Sequence, residues 1–347
     1  MDSIWQQIAA GWDARLEKGK VAHFGDPAAE LQAAAAGTVL CPLVHLGLIA
    51  GRGEDAGAFL QGQLSCDVRE VSAAQARHAA YCTPKGRILA NLLLWQRDGV
   101  YWLALSEELR EPIQNRLSKF VLRAKLTLAD AGAERALLGI AGLQAAQILE
   151  GALGPVVPAT AMAVSQTPAA SVIRLSGQRF IVAAPVAEIP QLWRALAQAA
   201  RPVGTPAWEW LDIADGLPRI TAATQEQFVP QMINLERIGG VSFKKGCYPG
   251  QEIIARSQYL GQVKRRLHRI HFTASAIPAI ADSLFSPETG EQASGILVNV
   301  APAPQSGYEA LAVIQESVAG GGGVRYGAPG GPVVDFLPLP YPAAAAA

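Results

Sequence analysis

The strongest constraint on the fold is a pair of back-to-back turn signals between short apolar runs. Thr83-Pro84-Lys85-Gly86 places Pro and Gly where a type I turn uses them, and Asp98-Gly99 separates the runs 88–95 and 100–105. Runs this short, joined by connections this tight, predict antiparallel sheet. The same rhythm returns along the chain. From 136 to 200 the order reads strand (137–141), helix (143–149), a Pro-rich link, two strands (172–175 and 180–183) and a helix (188–199), which predicts a ferredoxin-like α+β layer. After Gly261 short apolar runs divided by Gly and Pro (267–272, 295–300, 310–314) predict a small β-barrel closing at Leu337-Pro338-Leu339-Pro340-Tyr341.

A chain of 347 residues exceeds one ordinary core, and half of its residues are apolar against 17% charged, so a folded protein of two or three domains is expected and a disordered chain is excluded. The expected division is an N-terminal helix and linker at 1–36, a central region at 37–262 containing the ferredoxin-like part at about 134–204, and a C-terminal barrel at 263–347. Lys plus Arg and Asp plus Glu are 29 each, so no global charge excess holds a polyanion. Charge is nevertheless uneven: between Lys244 and Arg269 seven basic residues face one acid, Glu252.

The leader reads as an amphipathic helix, with Ser3 and Gln6 in a capping-box pattern, Trp5, Ile8, Trp12 and Leu16 on one stripe, and Gly19 closing it. Residues 33–50 lack Asp, Glu, Lys and Arg and reach bilayer length, but Pro42 and His45 interrupt them. They read as an Ala-rich linker followed by a buried strand at 39–49. With no secretory signal pattern and no C-x-x-C among Cys41, Cys66, Cys82 and Cys247, a reducing, cytoplasmic location without a membrane is expected.

Gly51-Arg52-Gly53-Glu54 is not a dinucleotide loop, because Glu54 and Asp55 stand where a pyrophosphate would lie. His268 and His271 lie three apart on a predicted strand and point to opposite faces, so no metal site is assigned. No hydrolase or P-loop motif occurs. Trp208 and Trp210, ahead of a Gly-Leu-Pro break, are either core residues or the wall of a flat-ligand pocket. The densest cluster is Phe243-Lys244-Lys245-Gly246-Cys247-Tyr248-Pro249-Gly250-Gln251-Glu252, running into the helical pattern Ile253, Ile254, Ser257, Leu260. Two lysines and a helix start favour thiolate at Cys247, which makes it a candidate reactive cysteine; a small buried residue in a tight loop is the alternative.

Four blocks in order, Phe59-Leu60-Gln61-Gly62-Gln63-Leu64, Thr83-Pro84-Lys85-Gly86-Arg87, Phe228-Val229-Pro230-Gln231-Met232-Ile233-Asn234-Leu235 and Lys245-Gly246-Cys247-Tyr248-Pro249-Gly250-Gln251-Glu252, resemble the YgfZ family of folate-binding proteins, in the superfamily of the glycine-cleavage T-protein, an aminomethyltransferase. The resemblance runs from about Leu43 to Tyr341. It implies an α+β, T-protein-like ring of antiparallel domains, one of them ferredoxin-like, with a C-terminal β-barrel, around tetrahydrofolate or a derivative. It further implies support for the assembly or repair of iron–sulfur proteins, hence for tRNA modification, with tRNA reached indirectly and iron–sulfur proteins or their assembly factors as partners. Residue by residue, the motif cysteine falls on Cys247 and a folate-contacting tryptophan on Trp208. The expected folate site adds Lys245, Gly246, Tyr248, Gln251, Glu252, Arg256, Gln231, Asn234 and, in place of a pterin-binding glutamate, Asp215. A second folate tryptophan falls at Leu46. The adjacent aspartates of the transferases fall on Ala90 and Asn91, which cannot take a proton as a carboxylate would. That loss argues against glycine cleavage; a folate-dependent aminomethyl- or methyltransferase is kept as one alternative, and a tRNA-binding accessory protein using Lys264-Arg265-Arg266 and Arg269 is another.

Overall fold

A computed structural model describes residues 3–17, 19–155, 157–259, 261 and 263–341. Leu260 and the side chain of Ser3, named above for a helix position and a cap, lie outside the described residues.

The chain opens with α1 (Ser3–Gly11), which buries Ile4, Trp5 and Ile8. The helix stops there, because Asp13 takes a left-handed backbone (φ 54), and the hairpin β1 (Arg15–Glu17) and β2 (Lys20–His23) replaces its expected continuation to Gly19. The expected linker is also a helix, α2 (Pro27–Ala36), capped by Asp26, whose carboxylate accepts from Ala29 N at 3.0 Å, and started by Pro27. The single strand expected at 39–49 is two, β3 (Val39–Pro42) and β4 (Leu46–Arg52), which enter different sheets across the turn at 43–45.

After α3 (Ala56–Gln61), the predicted hairpins follow as β5 (Arg77–Cys82), β6 (Ile88–Arg97) and β7 (Val100–Ser106). Asp98 and Gly99 both have positive φ, 52° and 76°, as a type I′ turn requires. Then come α4 (Glu107–Ser118) and β8 (Thr127–Asp130), and the first sheet runs β5-β6-β7-β4-β8.

The second sheet collects β9 (Arg135–Ala141), β10 (Val164–Gln166), β11 (Ser171–Arg174), β12 (Arg179–Pro185) and β13 (Arg201–Pro202), with α5 (Ala145–Leu153) and α6 (Ile189–Leu196) as its helices. Its order is β10-β11-β12-β9-β3-β13. This is the ferredoxin-like arrangement with one foreign strand inserted: β3 pairs antiparallel with β9 and parallel with β13. Helix α7 (Thr205–Ala214) leads to an irregular segment and α8 (Gln251–Tyr259).

The last sheet comprises β14 (Arg265–Phe272), β15 (Ser283–Phe285), β16 (Ala293–Pro302), β17 (Tyr308–Gln315), β18 (Arg325–Tyr326) and β19 (Asp335–Leu337), in the order β18-β15-β16-β17-β14-β19. It curls around its own core of Ile270, Phe272, Leu284, Leu297 and Ile314. The bridge Arg325↔Val333 brings the segments of its two edge strands together. No helix among the described residues is long and apolar enough to cross a membrane.

Candidate functional site

The four blocks singled out by sequence converge on the Cys247 loop. Helix α3 ends at Gln61 and leaves carbonyls without partners. Lys245 fills that role: its Nζ donates to the carbonyls of Gln61, Leu64 and Cys66 at 2.5, 2.6 and 2.9 Å, and sits 5.0 Å from the centre of the Tyr248 ring. Burial draws the ammonium down to about 8, and burial pushes the Tyr248 phenol up.

From a second side, the turn after β5 packs on Gly250, whose φ is +83°; a Cβ there would stand 2.5 Å from Thr83 O and 2.6 Å from Gly86 Cα. In addition, Arg87 Nη1 donates to Gln227 O at 2.7 Å, and Gln231 Nε2 donates to the carbonyl of Ile254 in α8 at 2.6 Å. A loop pinned on two sides and continued by a held helix leaves Gly246 and Cys247 exposed. Cys41, Cys66 and Cys82 are buried, and burial pushes the thiols of Cys66 and Cys82 up to about 12. Of the four cysteines, Cys247 is the one a solute can reach.

Several expected ligand contacts are spent elsewhere. Lys245, 5% exposed, does not face a carboxylate partner, because all three of its protons point into α3 and the chain after it. Gln231 and Asn234 are joints. Asn234, left-handed at φ 55°, donates to Leu267 O at 3.0 Å, and Arg266 Nη1 bonds Gln231 O, Asn234 Oδ1 and Glu236. Asp215 pairs with Arg179 at 2.7 Å and accepts from Ser176. Trp208 is a core residue, 1% exposed, lying against Gly139 with the Arg179 guanidinium 4.5 Å from its ring centre. Tyr248 is buried, and Gln251 Nε2 reaches Lys245 O at 3.4 Å. Gly246, Glu252 and Arg256 are exposed, as Cys247 is. The basic run is partly neutralised, since Arg266 pairs with Glu236 and Arg269 with Glu309.

A cavity of about 640 Å³, within the roughly 300–1,000 Å³ usual for small-ligand sites, opens elsewhere, where strands of the first two sheets meet the segment after α7. Lys20 of β2, His45 of the β3–β4 turn, Leu46 of β4, Arg110 of α4, Arg135 of β9 and Arg219 line it. Of the positions assigned to folate from sequence, only Leu46, the expected place of a second folate tryptophan, is among them. His45 was read there merely as a break in an apolar run; the usable signals were a lone histidine in that run and an arginine directly after Gly-Leu-Pro. Burial, with Arg219 and Lys20 nearby, holds His45 well below its ordinary value of 6.5. Asn91 does not act as an acid or base: its Oδ1 accepts from Ile220 N at 2.8 Å and its Nδ2 donates to Pro218 O at 2.7 Å. Among the described residues no group of three or more His, Cys, Asp or Glu side chains is placed to hold a metal.

Residues 15–245 match the model of the GCVT N-terminal domain. The tRNA-modifying protein YgfZ of Klebsiella pneumoniae (strain 342) is 36% identical over 237 residues, 67% of this chain and 71% of that protein. The chain belongs to the YgfZ family. Its relative from Shigella boydii serotype 4 (strain Sb227), also a tRNA-modifying protein YgfZ, is 35% identical over 235 residues, with the same shares covered. The fold of this YgfZ-family chain is that of the glycine cleavage system aminomethyltransferase T from Bartonella henselae, with a TM-score of 0.79, 18% identity, and coverage of 97% of this chain and 96% of that one. The matched GCVT domain ends at Lys245, so Cys247, α8 and the curled sheet lie beyond it.

Proposed function

We propose that this chain binds tetrahydrofolate or a derivative in the 640 Å³ cavity and uses Cys247 in the assembly or repair of iron–sulfur proteins, through which tRNA modification comes to depend on it. The observation that carries the reading is the exposure of one thiol out of four, on a loop held by the blocks 59–64 and 83–87 and followed by α8, which Gln231 of the third block holds. Such a thiol can act as a nucleophile, exchange sulfur or hold a cluster in passing without being the weak point of the fold. A cytoplasmic, reducing setting keeps it free.

The cavity suits the pterin compound by the chemistry of its walls. His45 and Arg219 present buried polar atoms with no protein partner, and apolar wall comes from Leu43, Leu46 and Leu48. Bound there, the cofactor supplies a reduced pteridine able to carry a one-carbon unit; the chain's residues bind and orient it. Similarity of fold to an aminomethyltransferase favours a second reading, one-carbon transfer by this chain. The Asn91 amide, with both ends spent on backbone, provides no base for it.

Tetrahydrofolate titrated into the protein should give saturable quenching of tryptophan fluorescence, and a Cys247→Ser variant should fold normally yet fail to restore iron–sulfur enzyme activity in a strain lacking the protein. Absence of saturable binding defeats the folate assignment. Full restoration by Cys247→Ser defeats the thiol mechanism.

A further inference from the structure

The backbone of residues 218–220 is clamped by asparagines from two sheets. Asn91 of β6 takes Pro218 O and Ile220 N. Asn299 of β16 takes the other two groups, accepting from Arg219 N at 2.8 Å and donating to Arg219 O at 2.9 Å. Four hydrogen bonds over three residues fix where Arg219 begins. Its guanidinium is then held by Glu209, which also pairs with Lys20 at 3.0 Å. Its Nε–H is nonetheless buried with no partner, and Arg219 lines the cavity.

On the same cavity lies His45, 4% exposed, with neither Nδ1 nor Nε2 hydrogen-bonded to protein. Its backbone is pinned as well, because His45 O accepts from Glu107 N at 3.0 Å at the start of α4. A buried imidazole with both nitrogens idle is rare, because each costs the hydrogen bond it made to water. Two such groups on one cavity, each set on an immobilised backbone, describe a site whose partner is a ligand.

We propose that His45 and Arg219 form the recognition pair of this cavity, donating to an acceptor oxygen of its ligand. This rests on the folate reading above and deepens it, for a folate offers two oxygens of that kind: the pteridine carbonyl and the glutamyl carboxylate. Asn91 and Asn299 are then positioning residues for Arg219. At Asn91, where the transferases place a carboxylate, this chain holds an arginine's backbone instead.

Calorimetric binding of tetrahydrofolate, a tetrahydropterin lacking the tail, and p-aminobenzoylglutamate to wild type, His45→Leu and His45→Gln tests the pair. His45→Leu should weaken tetrahydrofolate about tenfold or more, the worth of one hydrogen bond to a charged or well-placed partner. The ligand-free Leu variant should melt no lower than wild type, since leucine removes two idle polar atoms. His45→Gln should recover most of the affinity. Whichever fragment loses affinity in His45→Leu carries the oxygen. Wild-type binding left unchanged by His45→Leu overturns the recognition pair while sparing the folate reading, as does joint loss of stability and affinity that His45→Gln fails to restore. No binding of any probe to wild type overturns both.

Discussion

Lys244 and Lys245 are neighbours in sequence with opposite fates. Lys244 is exposed, whereas the ammonium of Lys245 is enclosed by three carbonyls and a tyrosine ring. Replacing Lys245 by Met strands those carbonyls, at a cost of about 2–4 kcal/mol for a charged group removed from a buried network. The variant is expected to melt several degrees lower, and Cys247 to react faster with a thiol reagent as its loop loosens. An unchanged melting point would mean that the carbonyls are satisfied without it. The pair also shows what a string of residues hides. A basic motif announces a special loop, but which lysine turns inward depends on carbonyls contributed by α3, far earlier in the chain. The surroundings of Asp215 and Trp208 were hidden for the same reason: Arg179, on a distant strand, pairs with the carboxylate of one and lies over the ring of the other.

Elements were legible where local chemistry defines them. The hairpin turns at 83–86 and 98–99, the strand-helix order of 135–196 and the strand at β14 follow from turn residues and periodicity. Helix α2 escaped because an alanine run shows no apolar stripe, although Asp26 and Pro27 signalled its start. The β3–β4 break escaped because both strands are buried, and burial erases the alternation that would reveal a change of sheet. At this scale the contact between the turn after β5 and the Cys247 loop is the most exposed to test. Gly250→Ala adds a methyl 2.5 Å from Thr83 O at a φ of +83°, costing about 1–3 kcal/mol in backbone strain alone. Amides of 83–87 and 245–250 should exchange with solvent together, and faster than in wild type; faster exchange in only one of the two segments would show that they are not mechanically joined.

For the molecule as a whole, the second sheet decides what counts as a unit. The ferredoxin-like stretch at about 134–204 supplies five of its six strands, and β3 stands between β9 and β13. Expressed alone, 134–204 should show no cooperative thermal transition, and a version carrying 38–43 on a fused segment should regain one. A cooperative transition from 134–204 alone would show that β9 and β13 pair directly when β3 is missing. The cavity could not be read from the sequence on the same account, since its walls come from seven stretches that only the assembled fold brings together. The inserted strand has a consequence in time as well as in space. During synthesis β3 leaves the ribosome long before its neighbours: one edge waits for β9, complete at Ala141, and the other stays open until β13 is made at Pro202. Growing chains halted before residue 202 should therefore carry an open strand edge, and the second sheet is complete only once β13 has been made.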